Sequence, residues 1–181
     1  MIVAVFGSAN PVPGDNLYRE AFVLGEILAK AGHAVMTGGY SGTMEAVSRG
    51  AAEVGGHTIG VTCREIEDFR PLAANAWVKE IRQTDTLDER IQILTTQADA
   101  YIALPGGVGT LAELVMVYNK IAISSISSKT IILIGKGWKQ TIRAFFEGQA
   151  DNLNKDVRRI PQFAPNPEVA LEIINKLNSG D

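Results

Sequence analysis

This 181-residue sequence offers little to a disulfide or a zinc-like metal, with a single cysteine, Cys63, and two histidines, His33 and His57. One thiol cannot form an internal disulfide framework, and without a second cysteine there is no thiolate metal pair. No H-E-x-x-H, EF-hand spacing or Cys/His cluster is present, so no metal is expected. Both histidines stand just before expected strands, which gives no support to a Ser-His-Asp arrangement. Apolar runs are all far shorter than a membrane span, and no membrane partner is expected. The net charge of -3 and pI near 5.5 provide no general attraction to nucleic acid. Any anion site must therefore be local, and the expected partner is a small molecule.

Several familiar fingerprints are also missing. The opening MIVAVFGSAN has no basic stretch before its apolar residues, so it reads as a first strand rather than a secretory leader. With a single thiol, a reducing cytoplasm is the expected home. Neither glycine-rich stretch fits GxGxxG or ends in the Lys-Ser/Thr of a P-loop, which places full dinucleotides and ATP low among ligands. What remains is ordinary globular composition, 46% hydrophobic and 20% charged, in a length suited to one domain spanning 1–181.

Residues 100–119, AYIALPGGVGTLAELVMVYN, organise the chain. A short buried strand runs through Tyr101–Leu104, and apolar residues recur at helical spacing after residue 110. Between them Gly106, Gly107 and Gly109 let backbone N–H groups face one concavity, toward which the following helix aims its positive end. A phosphate suits such a place. Glu113 follows Thr110 by three residues, the spacing of a capping box, and equally that of a carboxylate beside a bound phosphate ester.

Taken in order, Ile2–Phe6, Ala34–Met36, His57–Thr62, Trp77–Gln83, Tyr101–Leu104 and 130–135 read as strands. Helices are expected at Asn16–Lys30 with Asn16 as N-cap, Met44–Val54, Thr86–Ala98, Trp138–Gly148 and Pro167–Leu177. Thr86 and Glu89 have capping-box spacing, and the mixed-charge stretch 63–71 reads as a mobile loop able to cover a site. Residues 152–159 read as a polar solvated loop. Strand, glycine turn and helix repeat in the manner of right-handed βαβ units. The expected architecture is α/β, a Rossmann-like three-layer sandwich around a mostly parallel sheet, with the 38–43 and 106–110 loops at one edge. Arg90 reads either as a surface cation paired with Asp85 or Glu89, or as a phosphate ligand. Ile121, Ile123 and Ile126 read either as core or as a dimer seam.

These segments resemble the Lonely Guy family of nucleotide phosphoribohydrolases, also known under the older label of possible lysine decarboxylase. The similarity runs through GSA at 7–9, LYREAFVLGEILAKAGHAVMTGG, SGTMEAVSRGA, GGHTIGV, LDER at 87–90 and, most specifically, PGGVGTLAE at 105–113. The resemblance implies a homodimer that cleaves a nucleoside 5′-monophosphate to base and ribose 5-phosphate without a cofactor. It implies Arg90 and Glu113 as the catalytic pair. The implied phosphate-binding residues are Ser8, Gly38, Gly39, Gly42, Thr43, Gly106, Gly107, Gly109 and Thr110. Nothing in the motifs supplies the Schiff-base lysine that the decarboxylase label would need. The chain departs from the family pattern at Ile91, where a lysine is usual, at TGGYSG in place of a triple glycine, and at Glu45 in place of a glycine. Related carrier proteins bind a phosphorylated pterin, the molybdenum cofactor, on the same fold without cleaving it, which makes a binding protein the alternative.

Overall fold

The computed structural model describes residues 1–127 and 130–179. Along them β1 (Ile2–Phe6), α1 (Asn16–Lys30), β2 (Ala34–Thr37), α2 (Thr43–Glu53) and β3 (Thr58–Cys63) follow in turn. Next come α3 (Arg64–Phe69), β4 (Glu80–Thr84), α4 (Leu87–Thr96), β5 (Ala100–Ala103) and α5 (Val108–Ala122). The chain continues through β6 (Ile131–Ile134), α6 (Lys136–Gly148), β7 (Pro161–Ala164) and α7 (Pro167–Ser179). Short 3₁₀ turns at Ala150–Asn152 and Val157–Arg159 occupy the polar stretch before β7.

Among the described residues, seven strands form one sheet in the order β4-β3-β2-β1-β5-β6-β7, with every recorded pairing parallel. The register places Val3 beside Val35 on one side and beside Ala100 on the other. Alternation of side chains along the strands splits the core in two. Val3, Val5, Val35 and Ile102 pack under α1, α2 and α7, while Ala4, Phe6, Met36 and Tyr101 pack under α4, α5 and α6. The sandwich is therefore three-layered and Rossmann-like. Leu24 and Leu28 of α1 are wholly buried, each worth about 1.5–3 kcal/mol of removal from water.

Helix ends follow local chemistry. Gly32, at φ +81°, closes α1: its N–H donates to the Ala29 carbonyl at 2.9 Å, and the His33 N–H donates to that of Leu28 at 3.0 Å. The Thr86–Glu89 capping box is formed in both directions. Asn166 Oδ1 accepts the Val169 N–H at 3.0 Å, starting α7 at Pro167. Asn16 is not the N-cap of α1. Asp15 holds that place, its carboxylate turned back to the Val12 N–H at 3.0 Å.

Two further expectations are corrected. The 63–71 stretch is not wholly loop, because Cys63 is the buried last residue of β3 and Arg64–Phe69 form α3. Residues 161–164, unassigned from the sequence, add the edge strand β7, with Pro161 and Ala164 buried. Ile121 belongs to the core and Ile126 packs against it, whereas Ile123 is exposed.

Strand order opens a crevice at the sheet edge. From β1 the chain adds β2, β3 and β4 on one side, then crosses to add β5, β6 and β7 on the other. The reversal lies between β1 and β5, and a crevice opens beyond their carboxyl ends.

Candidate active site

A cavity of about 700 Å³ occupies that crevice. Ser8 and Asn10 enter it from the loop after β1, Tyr40 and Met44 from the first glycine loop and α2, and Gly107, Val108, Gly109, Thr110 and Glu113 from the second loop and α5. Residues between Glu65 and Leu72 close the outer wall, and Arg90 reaches in from α4. A second hollow, of about 580 Å³, lies beside β4 and α4 at the sheet edge, lined by Arg64, Asp85 and Gln97 among others. None of the glycine-loop residues borders it.

Arg90 and Glu113 meet at the cavity wall. Both are nearly buried, at 6% and 8% exposure, and Arg90 Nη1 donates to Glu113 Oε1 at 3.2 Å. Arg90 Nε donates to the Val61 carbonyl at 2.8 Å and Nη2 to that of Gly38 at 3.3 Å, and the guanidinium lies 5.8 Å from the Tyr40 ring centroid. The reading of Arg90 as a surface cation paired with Asp85 or Glu89 is corrected. The Glu89 carboxylate is occupied by the N–H groups of Asp85 and Thr86 at 3.0 and 3.1 Å, and Arg90 turns inward.

The Thr110–Glu113 capping box is not formed either. Gly107 is the N-cap of α5, so Thr110 already lies within the first turn and the Glu113 carboxyl is free to face Arg90. Burial pushes this carboxyl above the ordinary glutamate value, while Arg90 pulls it down. The net direction is upward, because desolvation of a deeply buried carboxylate outweighs one cation at hydrogen-bond distance. Removing one partner of such a pair leaves a buried charge, at a cost of about 3–5 kcal/mol.

The two glycine loops differ in what occupies the space beside them. At Gly38 a Cβ would overlap Arg90 Nη2, so the guanidinium needs a residue without a side chain there. Gly42 has φ +74°, and its Cβ would overlap the Ser8 carbonyl oxygen. That same oxygen accepts from the Thr43 N–H at 2.8 Å and from its hydroxyl at 3.0 Å, tying the loop after β1 to α2. Gly39 donates its N–H to Thr37 Oγ1 at 3.1 Å. Gly38, Gly39, Gly42 and Thr43 do not line the cavity, and neither does Gly106, which packs against the Thr110 side chain. Ser8, Gly107, Gly109 and Thr110 line the wall itself. A Cβ at Gly107 or Gly109 would meet nothing within 4 Å. The opening N–H groups of α5 at this wall have no acceptor within the helix.

Motif spacing does not single out Asn10, Tyr40, Met44, Ile66, Phe69, Arg70 or Leu72, all of which line the cavity. A usable signal exists for the last group. A stretch after the carboxyl end of a parallel strand lies at the ligand edge, and an aromatic, a cation and a proline follow one another there as Phe69-Arg70-Pro71. Neither histidine borders the cavity. No group of three His, Cys, Asp or Glu side chains among the described residues is arranged to hold a metal, and no described helix is long and apolar enough to cross a membrane.

Strand order, crevice and buried pair define a Rossmann-like α/β protein with a cavity at the point where strand order reverses. Residues 1–158 match the family model described as LDcluster4, SLOG cluster4 family. The chain belongs to this family, and the Lonely Guy resemblance carried by PGGVGTLAE is borne out. It is 34% identical over 149 residues to the cytokinin riboside 5′-monophosphate phosphoribohydrolase of Mycobacterium tuberculosis, covering 82% of this chain and 79% of that protein. Among solved structures, the molybdenum cofactor binding protein of Rippkaea orientalis superposes with a TM-score of 0.76 at 24% identity, covering 97% of this chain and 96% of that one. The molybdenum cofactor carrier protein of Chlamydomonas reinhardtii gives 0.74 at 23% identity over 98% of each chain. Both likenesses show a shared fold.

Proposed function

We propose that the protein is a nucleoside 5′-monophosphate phosphoribohydrolase, converting nucleotide and water to free base and ribose 5-phosphate. One observation carries this reading: the buried Arg90–Glu113 pair stands on the wall of a cavity that also holds the unfilled glycine turn at the start of α5. In the proposed mode the phosphate sits against the first turn of α5 at Gly107, Gly109 and Thr110, with Ser8 at the mouth. Gly38, Gly39, Gly42, Thr43 and Gly106 shape this cradle from behind. The ribose then lies over Glu113.

As the base leaves, positive charge grows on the ribose, and an ionised Glu113 stabilises it and orients the attacking water. Water supplies the new C1 hydroxyl and a proton for the departing base nitrogen. Arg90 fixes the carboxylate and offsets its charge until the ribosyl cation forms. The relative at 34% identity, the cytokinin riboside 5′-monophosphate phosphoribohydrolase of Mycobacterium tuberculosis, supports the same chemistry. A carrier of a phosphorylated cofactor is the second reading, and its support is likeness of fold at 23–24% identity.

The chain is further proposed to act as one nucleotide-binding domain and as a cytoplasmic homodimer. Val108, Leu111 and Val115, one apolar residue per turn of α5, are 86%, 37% and 51% exposed, and they support a second copy as the cover for this face. The test is incubation with a panel of nucleoside monophosphates and the matching nucleosides, with released base read by chromatography. Base released from a nucleotide and not from its nucleoside is the expected result. No release from any of them, with nucleotides still raising Tm, would replace hydrolysis by binding.

A further inference from the structure

Four charged side chains border the cavity: Glu65, Arg70, Arg90 and Glu113. Three are engaged within the protein. Arg90 and Glu113 face each other at 3.2 Å, and the Glu65 carboxylate accepts the Leu87 N–H at 2.8 Å, at the start of α4. Arg70 is different. Its backbone N–H closes α3 on the Ile66 carbonyl at 2.8 Å, and its guanidinium lies 5.7 Å from the Phe69 ring centroid. Among the described residues its side chain has no carboxylate partner.

Arg90 and Glu113 sum to zero formal charge, so while Arg90 is committed to Glu113 that pair gives a phosphate monoester no net Coulomb attraction. Ile91, next to Arg90, adds no charge. Among the described residues, the free cation on the wall is Arg70. Its planar fork can take two phosphate oxygens at once, which exceeds the contact it now has with an exposed ring. Its support is also lightly packed. α3 has six residues and none is buried, and Phe69 is 80% exposed.

We propose that Arg70 is the phosphate-binding cation of this site, leaving the Phe69 ring to grip the phosphate held at the start of α5. The proposal rests on the ligand being a phosphorylated nucleoside. Arg70 thereby supplies the anion selectivity that the neutralised Arg90–Glu113 pair cannot.

The test is calorimetric titration of inorganic phosphate, AMP and adenosine into the parent, Arg70→Ala and Arg70→Lys, with hydrolysis kinetics on the same preparations. Arg70→Ala is expected to weaken phosphate and AMP by about tenfold or more, one lost charge-assisted contact. It should leave adenosine unchanged and raise KM with kcat kept within about twofold. Arg70→Lys, which keeps the charge, should recover part of the loss. Unchanged anion affinity in Arg70→Ala overturns the proposal while the nucleotide reading stands. Equal loss of AMP and adenosine also overturns it, assigning Arg70 to sugar or base. A parent that binds neither phosphate nor AMP overturns both the proposal and the nucleotide reading.

Discussion

The two glycine loops look alike in sequence and behave differently in space. In the first, Thr37–Thr43, the protein itself fills the room that glycine leaves: Arg90 at Gly38 and the Ser8 carbonyl at Gly42. In the second, Gly107 and Gly109 face open space and have ordinary backbone angles, so packing gives no reason for glycine. A glycine explained by its neighbours is architecture. A glycine that its neighbours do not explain leaves room for something that arrives from outside, and these two sit at the start of a helix beside a buried acid.

Breaking the acid should have the largest effect. Glu113→Gln is expected to lower kcat by about 10²–10⁴ while AMP binding measured by calorimetry changes little. Its pH behaviour has a definite sign. Because burial holds the Glu113 carboxyl above its ordinary value, a rate that needs the carboxylate should rise with pH along an acid limb displaced upward from the ordinary glutamate value. Stability runs the other way. A carboxyl whose folded pKa is raised stabilises the fold below its unfolded value, and that contribution is lost as pH climbs through the folded one. Denaturant unfolding across that window should therefore move in favour of Glu113→Gln as pH increases.

Substitution at the loops sharpens the contrast. Gly38→Ala should displace Arg90 from the Gly38 carbonyl and from Glu113, costing about 3 kcal/mol or more in denaturant unfolding and most of the activity. Gly109→Ala should do the opposite to the fold. As a helical residue with free space around it, alanine there should leave the ligand-free protein equally stable or up to about 1 kcal/mol more stable, yet weaken AMP. A Gly109→Ala variant that keeps AMP affinity would remove the distinction between the loops. The smallest effect belongs to Thr86→Ala, which should cost about 1 kcal/mol of stability through the lost N-cap and loosen the helix that carries Arg90.

Much of the sheet was legible because strands such as Ile2–Phe6 and Tyr101–Leu104 are short apolar runs that end at a glycine turn, whereas β4, Glu80–Thr84, is polar and starts three residues later than the expected Trp77. β7 was not. Pro161-Gln162-Phe163-Ala164 is four residues long at a sheet edge, where little alternation is needed. The spacing of a capping box recurs at Thr86–Glu89 and Thr110–Glu113, and only the first becomes one. What separates them is where the helix starts. Gly107 takes the cap in α5, and the partner that turns Glu113 inward is Arg90, 23 residues earlier in the chain. Local spacing carries no information about such a contact. Likewise Arg64–Phe69 reads as a charged loop because α3 buries nothing. Its place on the cavity wall comes from the sheet edge it follows.

A crystal structure with ribose 5-phosphate bound tests the central claim most directly. The phosphate is expected on the first-turn N–H groups of α5, beside Gly107, Gly109 and Thr110, with the sugar C1 next to the Glu113 carboxylate. A phosphate seated instead in the hollow beside β4 and α4, or a sugar turned away from Glu113, would contradict it.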